Sequence, residues 1–429
     1  MAVAADRVPR ALPAVEIALP TGTLHGLHAD TPGAFALTGS FRIAPAPDGD
    51  DALLLHLVAA LASCGTRHRD EFAIADALER RGATLSLSAE PERIAFAARG
   101  CSDDFDTIAD LLAECLREPA FDQAAFDAER GRLIAELQAA DGDPATRADD
   151  ALSRLLYAPT HPRHQRDADA LIARLERCTA EELRRCHRDH FGATDLRVVI
   201  VGDLDLDAAA ATLERRFGDW PARPLAAWPD SPLPVVGSTP ARIALPDSAY
   251  IHAALGRRLS LRCDHPDHPA LWLANQLLGG GFGSRLVTSV RETRGLTYSI
   301  RSQLAKPHPD LDGHWQIDLA LGADTLDAGL AATRDTLARF VDEGASAREL
   351  DTRRAQAIGA FRIGLATLHG LSETLLFGIE RGWGMAHLRT FPERLRAVDL
   401  GTLNRVLRTH FVPDDVRTAI AGPFDRPVD

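Results

Sequence analysis

The stretch LLLHLVAALASCGT, residues 53–66, reads as a buried helix with a single histidine set into it. A helix presents side chains at i, i+3 and i+4 on one face, which is how an H-x-x-E-H helix gathers metal ligands. On that face His56 is followed by Ala59 and Ala60. Methyl groups stand where a carboxylate and a second imidazole would make a metal site.

Working outward, the pattern on either side is that of an α+β domain. A strand (GSFRIAPAP) precedes the helix, and a second helix (EFAIADALERRG) follows it. Then come the alternating strand ATLSLSAE, the strand ERIAFAARG, and a long amphipathic stretch over about 105–140 that breaks at REPAFD. The half closes with helices and the strand DLRVVIVGDLD. Prolines at 221, 224, 229, 232, 234 and 240 follow, a spacing that neither a helix nor a central strand tolerates. These mark a domain at 1–217, a linker at 218–240 and a second domain at 241–429.

The second domain repeats the first in order: AYIHAALGRRL, the helix HPALWLANQLL, SRLVTSVRETRG, the strands LTYSIRSQL and HWQIDLAL, then two amphipathic helices. Those helices, TLDAGLAATRDTLARFVDEG and SARELDTRRAQAIGAFRIGLA, match residues 105–137 in having apolar positions at i, i+3, i+4 and i+7 around a central break. Each pair is expected to cover one face of a mostly antiparallel sheet, giving two similar halves related by an internal repeat.

Composition narrows the function. A net charge of −13 excludes a nucleic-acid binder, which needs a basic face, and fits basic or neutral peptide ligands. No apolar run approaches the roughly 20 residues of a membrane helix. The N-terminus lacks the apolar segment of a secretory signal, so a cytoplasmic location is expected. The six cysteines include no C-x-x-C pair, as expected of free thiols in a reducing compartment.

Taken together, LLLH, CGT, IADALERRGA and LSLSAEPERIAFAARG resemble the pitrilysin and mitochondrial processing peptidase family of inverted zincins. There the corresponding run reads approximately G-L-A-H-x-L-E-H-x-x-x-x-G-T. Aligned without a gap, the first family histidine falls on His56, the catalytic glutamate on Ala59 and the second histidine on Ala60. The third family ligand comes from a helix of the form E-R-x-x-x-x-x-E, matched by Glu129 and Glu136, the latter 80 residues beyond His56. The resemblance therefore implies a zinc site that has lost a ligand and its general base. A base alone is worth roughly 10²–10⁴ in rate. His56 is then expected to be a packed core histidine, with Glu136 paired to an arginine or to His56. The pairs His187/His190, His161/His164 and His265/His268 read as structural or solvated histidines without an acidic partner at metal-site spacing.

In the second half, GGGFGSRL fails as a phosphate loop because no Lys-Ser or Lys-Thr follows. Gly279, Gly280, Gly281 and Gly283 read as a flexible turn at a helix end. RETRGLTY resembles the family's R-x-x-x-G-L-x-Y element, whose arginine and tyrosine position the peptide and stabilise the oxyanion. Those residues fall on Arg291 and Tyr298.

Some members of the family work as pairs, one chain carrying H-x-x-E-H and its partner the Arg/Tyr element. The resemblance thus implies a non-catalytic subunit of a heterodimeric zinc metallopeptidase, holding no metal itself and acting at its partner's zinc. The two chains are expected to close like a clam around a chamber for peptides, with the segment from Gly279 through Phe282 to Gly283 as a mobile wall. The acidic balance suggests a preference for basic peptides. A scaffold without catalytic contribution is the alternative, and relocated metal ligands are a third reading, which requires stoichiometric zinc in the isolated chain.

Overall fold

A computed structural model describes residues 14–44, 50–226, 239–259, 261–305 and 311–424. Among them, β1 (Ala14–Leu19), β2 (Gly22–His28), β3 (Ala34–Arg42), β4 (Thr84–Ala89), β5 (Arg93–Cys101) and β6 (Leu196–Gly202) form one sheet, ordered β1-β2-β6-β3-β5-β4. β7 (Ala241–Ala244), β8 (Ile251–Leu259), β9 (Ser299–Leu304), β10 (Gly313–Leu321) and β11 (Arg417–Gly422) form a second, ordered β7-β11-β8-β10-β9. In each, the last strand of the half slots in parallel to one early strand and antiparallel to the next in sequence: β6 between β2 and β3, β11 between β7 and β8. The remaining pairings are antiparallel. Sheet order and strand direction thus repeat, and the fold is α+β.

The helices of the first half are α1 (Asp50–Leu61), α2 (Glu71–Glu79), α3 (Phe105–Arg117), α4 (Gln123–Asp141), α5 (Pro144–Leu156), α6 (Ala168–Arg177), α7 (Ala180–His190) and α8 (Leu206–Phe217). The second half has α9 (His268–Gly279), a π-helical segment Val287–Thr293, α10 (Leu326–Glu343), α11 (Ala347–Gly364), α12 (Leu368–Glu380), α13 (His387–Ala397) and α14 (Leu400–His410). Their starts follow from local chemistry. Asp70 accepts from Ala73 N to open α2, and Thr179 with Glu182 makes a capping box on α7. None of the helices is long and apolar enough to cross a membrane.

The chain divides into two compact units that are not continuous in sequence. One comprises Met1–Leu133, Ala173–Trp228 and Phe361–Thr390; the other comprises Ile134–Ile172, Pro229–Ala360 and Phe391–Asp429. The expected halves at 1–217 and 241–429 each hold one sheet, but each half lends a helix to the other's sheet. Of the linker expected at 218–240, residues 227–238 lie outside the described residues.

The two lent helices are docked by different forces. In the first unit α12 lays Leu371, Leu375, Leu376 and Ile379 on Leu27, Val199 and Val201. At its end Glu380 accepts from Ser40 Oγ at 2.5 Å and lies 3.3 Å from Arg93 Nε. The Arg93 side chain is 6% exposed and also meets Asp195, so it is a buried cation held between two carboxylates. In the second unit α5 sets Ala148, Ala151, Leu152 and Leu156 on Ala254, Ala419 and Ala421. Asp143 caps α5 through Thr146 N and also accepts from Tyr250 Oη at 2.9 Å, which fixes where the helix enters. Small residues at the contact let helix and sheet approach closely, and at Gly256 any side chain would meet Leu152.

Candidate functional site

Two places carry the sequence-expected residues, one in each unit. In the first, α1 packs against α7 and β4, burying Leu54, Leu55, Leu57, Val58, Ala59 and Leu61. His56 does not join them: it is exposed. The expectation of a packed core histidine is therefore corrected. Leucines surround it in sequence, but its direction on the helix is the one that leaves the core. Ala59 is 3% exposed and Ala60 half-buried. After the helix, Gly65 takes φ 140°, which few side-chain-bearing residues adopt, and the next residue, Thr66, turns its hydroxyl to accept from His68 N and Arg69 N.

Glu129 lies near His56 but is engaged. Arg132 Nη2 and Nε contact its two oxygens at 2.5 and 2.8 Å. These hydrogen bonds hold the Glu129 carboxyl below the usual range against the effect of burial, and the charges of Arg132 and then His56 pull the same way. Nearby Cys64 has its thiol pushed up by burial and by the charges of Glu71 and Glu129, so it is a poor thiolate donor. Glu136 is exposed and belongs to the second unit. A catalytic zinc takes three protein ligands and a water. Two alanines at ligand and base positions, a carboxylate clamped by arginine and a protonated thiol do not fit that ion.

The second place is in the second unit. α9 ends at Gly279, and the chain passes through Gly280, Gly281, Phe282 and Gly283 to the π-helical segment that carries Arg291. Tyr298 sits one residue before β9. The Arg291 guanidinium carbon is 4.9 Å from the Tyr298 ring centre and 5.4 Å from that of Phe282, within cation–π reach of both. Arg291 Nε is also 3.4 Å from Glu292. Tyr298 is 84% and Phe282 78% exposed. The structure therefore brings half-buried Arg291 together with the exposed rings of Phe282 and Tyr298.

In the segment that leads to this group, Gly279 has a steric reason to lack a side chain. None of the glycines from Gly279 to Gly283 takes a positive φ. At Gly279 a Cβ would lie 2.5 Å from Ser302 N and Cβ, so the end of α9 approaches β9 too closely for a side chain. Gly283 faces open space.

The other histidines are built into the structure. His187 bonds Leu116 O at 2.9 Å between Phe121 and Phe191, and burial pushes its pKa down to about 4. His161 stacks on Tyr157 and meets Asp312, while His164 bonds Tyr157 O. His265 accepts from Asp267 N. One grouping had no local motif to announce it: Asp149, His252 and Asp318, whose ligand atoms lie within 4.8 Å of one another. Its signal in sequence was HWQIDLAL, where Gln316 and Asp318 alternate with apolar residues in a strand that proves buried on both faces.

Residues 54–166 match the family profile described as Insulinase (Peptidase family M16), and residues 177–357 match that described as Peptidase M16 inactive domain. The chain belongs to the M16 peptidase family. An uncharacterized zinc protease of Streptomyces coelicolor is 27% identical over 66% of this chain; the match spans 61% of that protein, less than two thirds of its length. The non-peptidase homolog YmxG of Helicobacter pylori is 22% identical over 86% of this chain and 84% of its own. A crystal structure of a peptidase M16 inactive domain from Pseudomonas fluorescens superposes with a TM-score of 0.86 at 24% identity, covering 96% of this chain and 99% of that one. The fold is thus that of M16 proteins. Ala59 and Ala60 stand where the resemblance puts the family's base and second histidine ligand.

Proposed function

We propose that this M16 chain is the non-catalytic subunit of a heterodimeric zinc peptidase and presents Arg291 and Tyr298 to the zinc site of an H-x-x-E-H-bearing partner. The observation that carries the reading is Arg291 within cation–π reach of the exposed rings of Phe282 and Tyr298, in a chain whose own metal helix is degenerate. Exposed aromatic rings held against an arginine are the composition of binding hot spots, not of an idle surface. Attack of water on a peptide carbonyl develops charge on its oxygen, and a phenol O–H and a guanidinium N–H are the donors suited to hold it. Peptide substrates follow from the family, as does the partner's zinc. The resemblance to a non-peptidase homolog favours the second reading, a peptide-holding scaffold.

The test is a peptidase assay on this chain, on an H-x-x-E-H partner and on the mixture. Activity confined to the mixture, and reduced about 10²-fold or more by Arg291→Ala or Tyr298→Phe, is expected for loss of one oxyanion donor. Mixture activity indifferent to both substitutions leaves the scaffold. Hydrolysis by this chain alone would overturn both.

A further inference from the structure

On the face of the second sheet that receives α5, most contacts are apolar, yet a row of polar side chains crosses it. The register pairs His252 of β8 with Ala320 of β10, and Asp318 with Ala254 and with Arg301 of β9, so His252 and Asp318 are diagonal neighbours on one face. Asp149 reaches the same point from α5, where Gln316 Nε2 donates to its Oδ1 at 2.7 Å. His252 Nε2 is 3.8 Å from Asp318 Oδ1, too far for a hydrogen bond. That nitrogen is closed to solvent and makes no hydrogen bond at all. Leaving a buried imidazole nitrogen unpaired costs about 1–3 kcal/mol, which calls for a reason.

The carboxylates are also held from behind. Arg301 Nε and Gln303 Nε2 donate to Asp318 Oδ2 at 3.1 and 2.9 Å, and Gln316 donates to Asp318 Oδ1 as well as to Asp149. Outer donors of this kind orient the carboxylates of metal sites. Two donors fill Asp318 Oδ2, while among the described residues Oδ1, the oxygen nearest His252, accepts from Gln316 alone and keeps a lone pair for an ion. Among the described residues, the one arginine or lysine bonded to the pair is Arg301, against two carboxyl groups.

We infer that Asp149, His252 and Asp318 form a binding site for a divalent transition-metal cation, zinc or manganese in kind, which ties α5 to the sheet of the second unit. One imidazole and two carboxylates suit such an ion. Ligand atoms around it lie roughly 3–4 Å apart, so the three groups reach it by small side-chain rotations. The site is independent of the degenerate helix α1.

The test uses the whole chain, stripped with chelator, dialysed against zinc chloride and analysed for metal per chain. About one zinc per chain is expected, with affinity falling at least about 100-fold in His252→Gln and in Asp149→Asn, both near in volume to the residues they replace. Cobalt(II) titrated into the unsubstituted chain reports the site without any variant: visible bands of nitrogen and oxygen coordination, with no thiolate charge transfer, are expected. No stoichiometric metal, metal binding that both variants retain, or a thiolate signature would overturn the assignment. Should the zinc-loaded chain hydrolyse peptides unaided, the metal site would stand and the non-catalytic function proposed above would fall.

Discussion

Substituting alanine at Gly279 and at Gly283 should have opposite effects, although both glycines lie in one short cluster. In either case alanine restricts the unfolded chain, a gain of about 0.4–1 kcal/mol where the native backbone accepts a side chain. Gly283 is such a place, with nothing within 4 Å of an added Cβ. At Gly279 the added carbon lands 2.5 Å from the backbone nitrogen of Ser302, and β9 cannot retreat because it is paired to β10. Ser302 moreover anchors a buried network: its hydroxyl donates to Asn275 Oδ1 at 2.6 Å and accepts from Trp315 Nε1 at 2.8 Å. Overpacking costs about 1–3 kcal/mol, and displacing a bond of that network adds about 1 kcal/mol. Net of the alanine gain, Gly279→Ala should destabilise by about 1–3 kcal/mol while Gly283→Ala is neutral or slightly stabilising. Urea denaturation followed by tryptophan fluorescence reads both, and amide exchange along 299–304 localises the first. If Gly279→Ala is as stable as the parent, the close approach of α9 to β9 is wrong, and with it the reason given for Gly279.

Ser302→Ala should leave both Trp315 Nε1 and Asn275 Oδ1 without that partner in a buried setting, a loss of about 2–4 kcal/mol by urea denaturation. Burial lowers His187 from 6.5 to about 4, so the folded state prefers its neutral ring. That contribution is complete above pH 6.5, is lost as the pH falls toward 4 and amounts to about 3 kcal/mol. His187→Gln should reduce the slope of stability over that window; His314, also lowered to about 4 by burial, and His25, His161 and His410, lowered by burial too, keep adding slope in the same sense. Tyr298→Phe should shift stability by no more than about 0.5 kcal/mol, as the loss of an exposed hydroxyl does, so that its effect on activity is not unfolding; the same urea denaturation controls for half-buried Arg291→Ala. Ala59→Glu should cost about 3 kcal/mol or more by forcing a carboxylate into the buried face of α1. A thermal melt showing it tolerated, with zinc taken up beyond that bound by the unsubstituted chain, would mean that the helix keeps a latent metal site.

Much of this was legible in the chain because period and punctuation are local. The alternation in ATLSLSAE marked β4, the 3.6-residue period marked α3, α4, α10 and α11, and the matching order of elements announced the repeat. The loss at Ala59 and Ala60 and the survival of Arg291 and Tyr298 needed no structure. What sequence could not supply was direction and distance. In LLLHLVAAL nearly every position is apolar, so the pattern does not say which side of the helix leaves the core, and His56 lies on that side. The apolar stripes of α5 and α12 fit any flat sheet face, so nothing local told which sheet each would cover. Asp149, His252 and Asp318 stand 103 and 66 residues apart on a helix and two strands, and only the register of β8 and β10 brings them together.

The exchange of α5 and α12 means that the covalent order of this protein and its thermodynamic parts do not coincide. A cut in the proline-rich segment, the obvious place to divide it, would release two pieces that are each short of one helix and burdened with another. The amino-terminal piece would bare Leu27, Val199 and Val201 and strand the Arg93 guanidinium without Glu380, while carrying the alanine-lined face of α5 with nothing to cover. The carboxy-terminal piece would be its mirror. Each fragment holds what the other lacks, so the pair is built for complementation: sticky apart, and competent to reassemble when mixed.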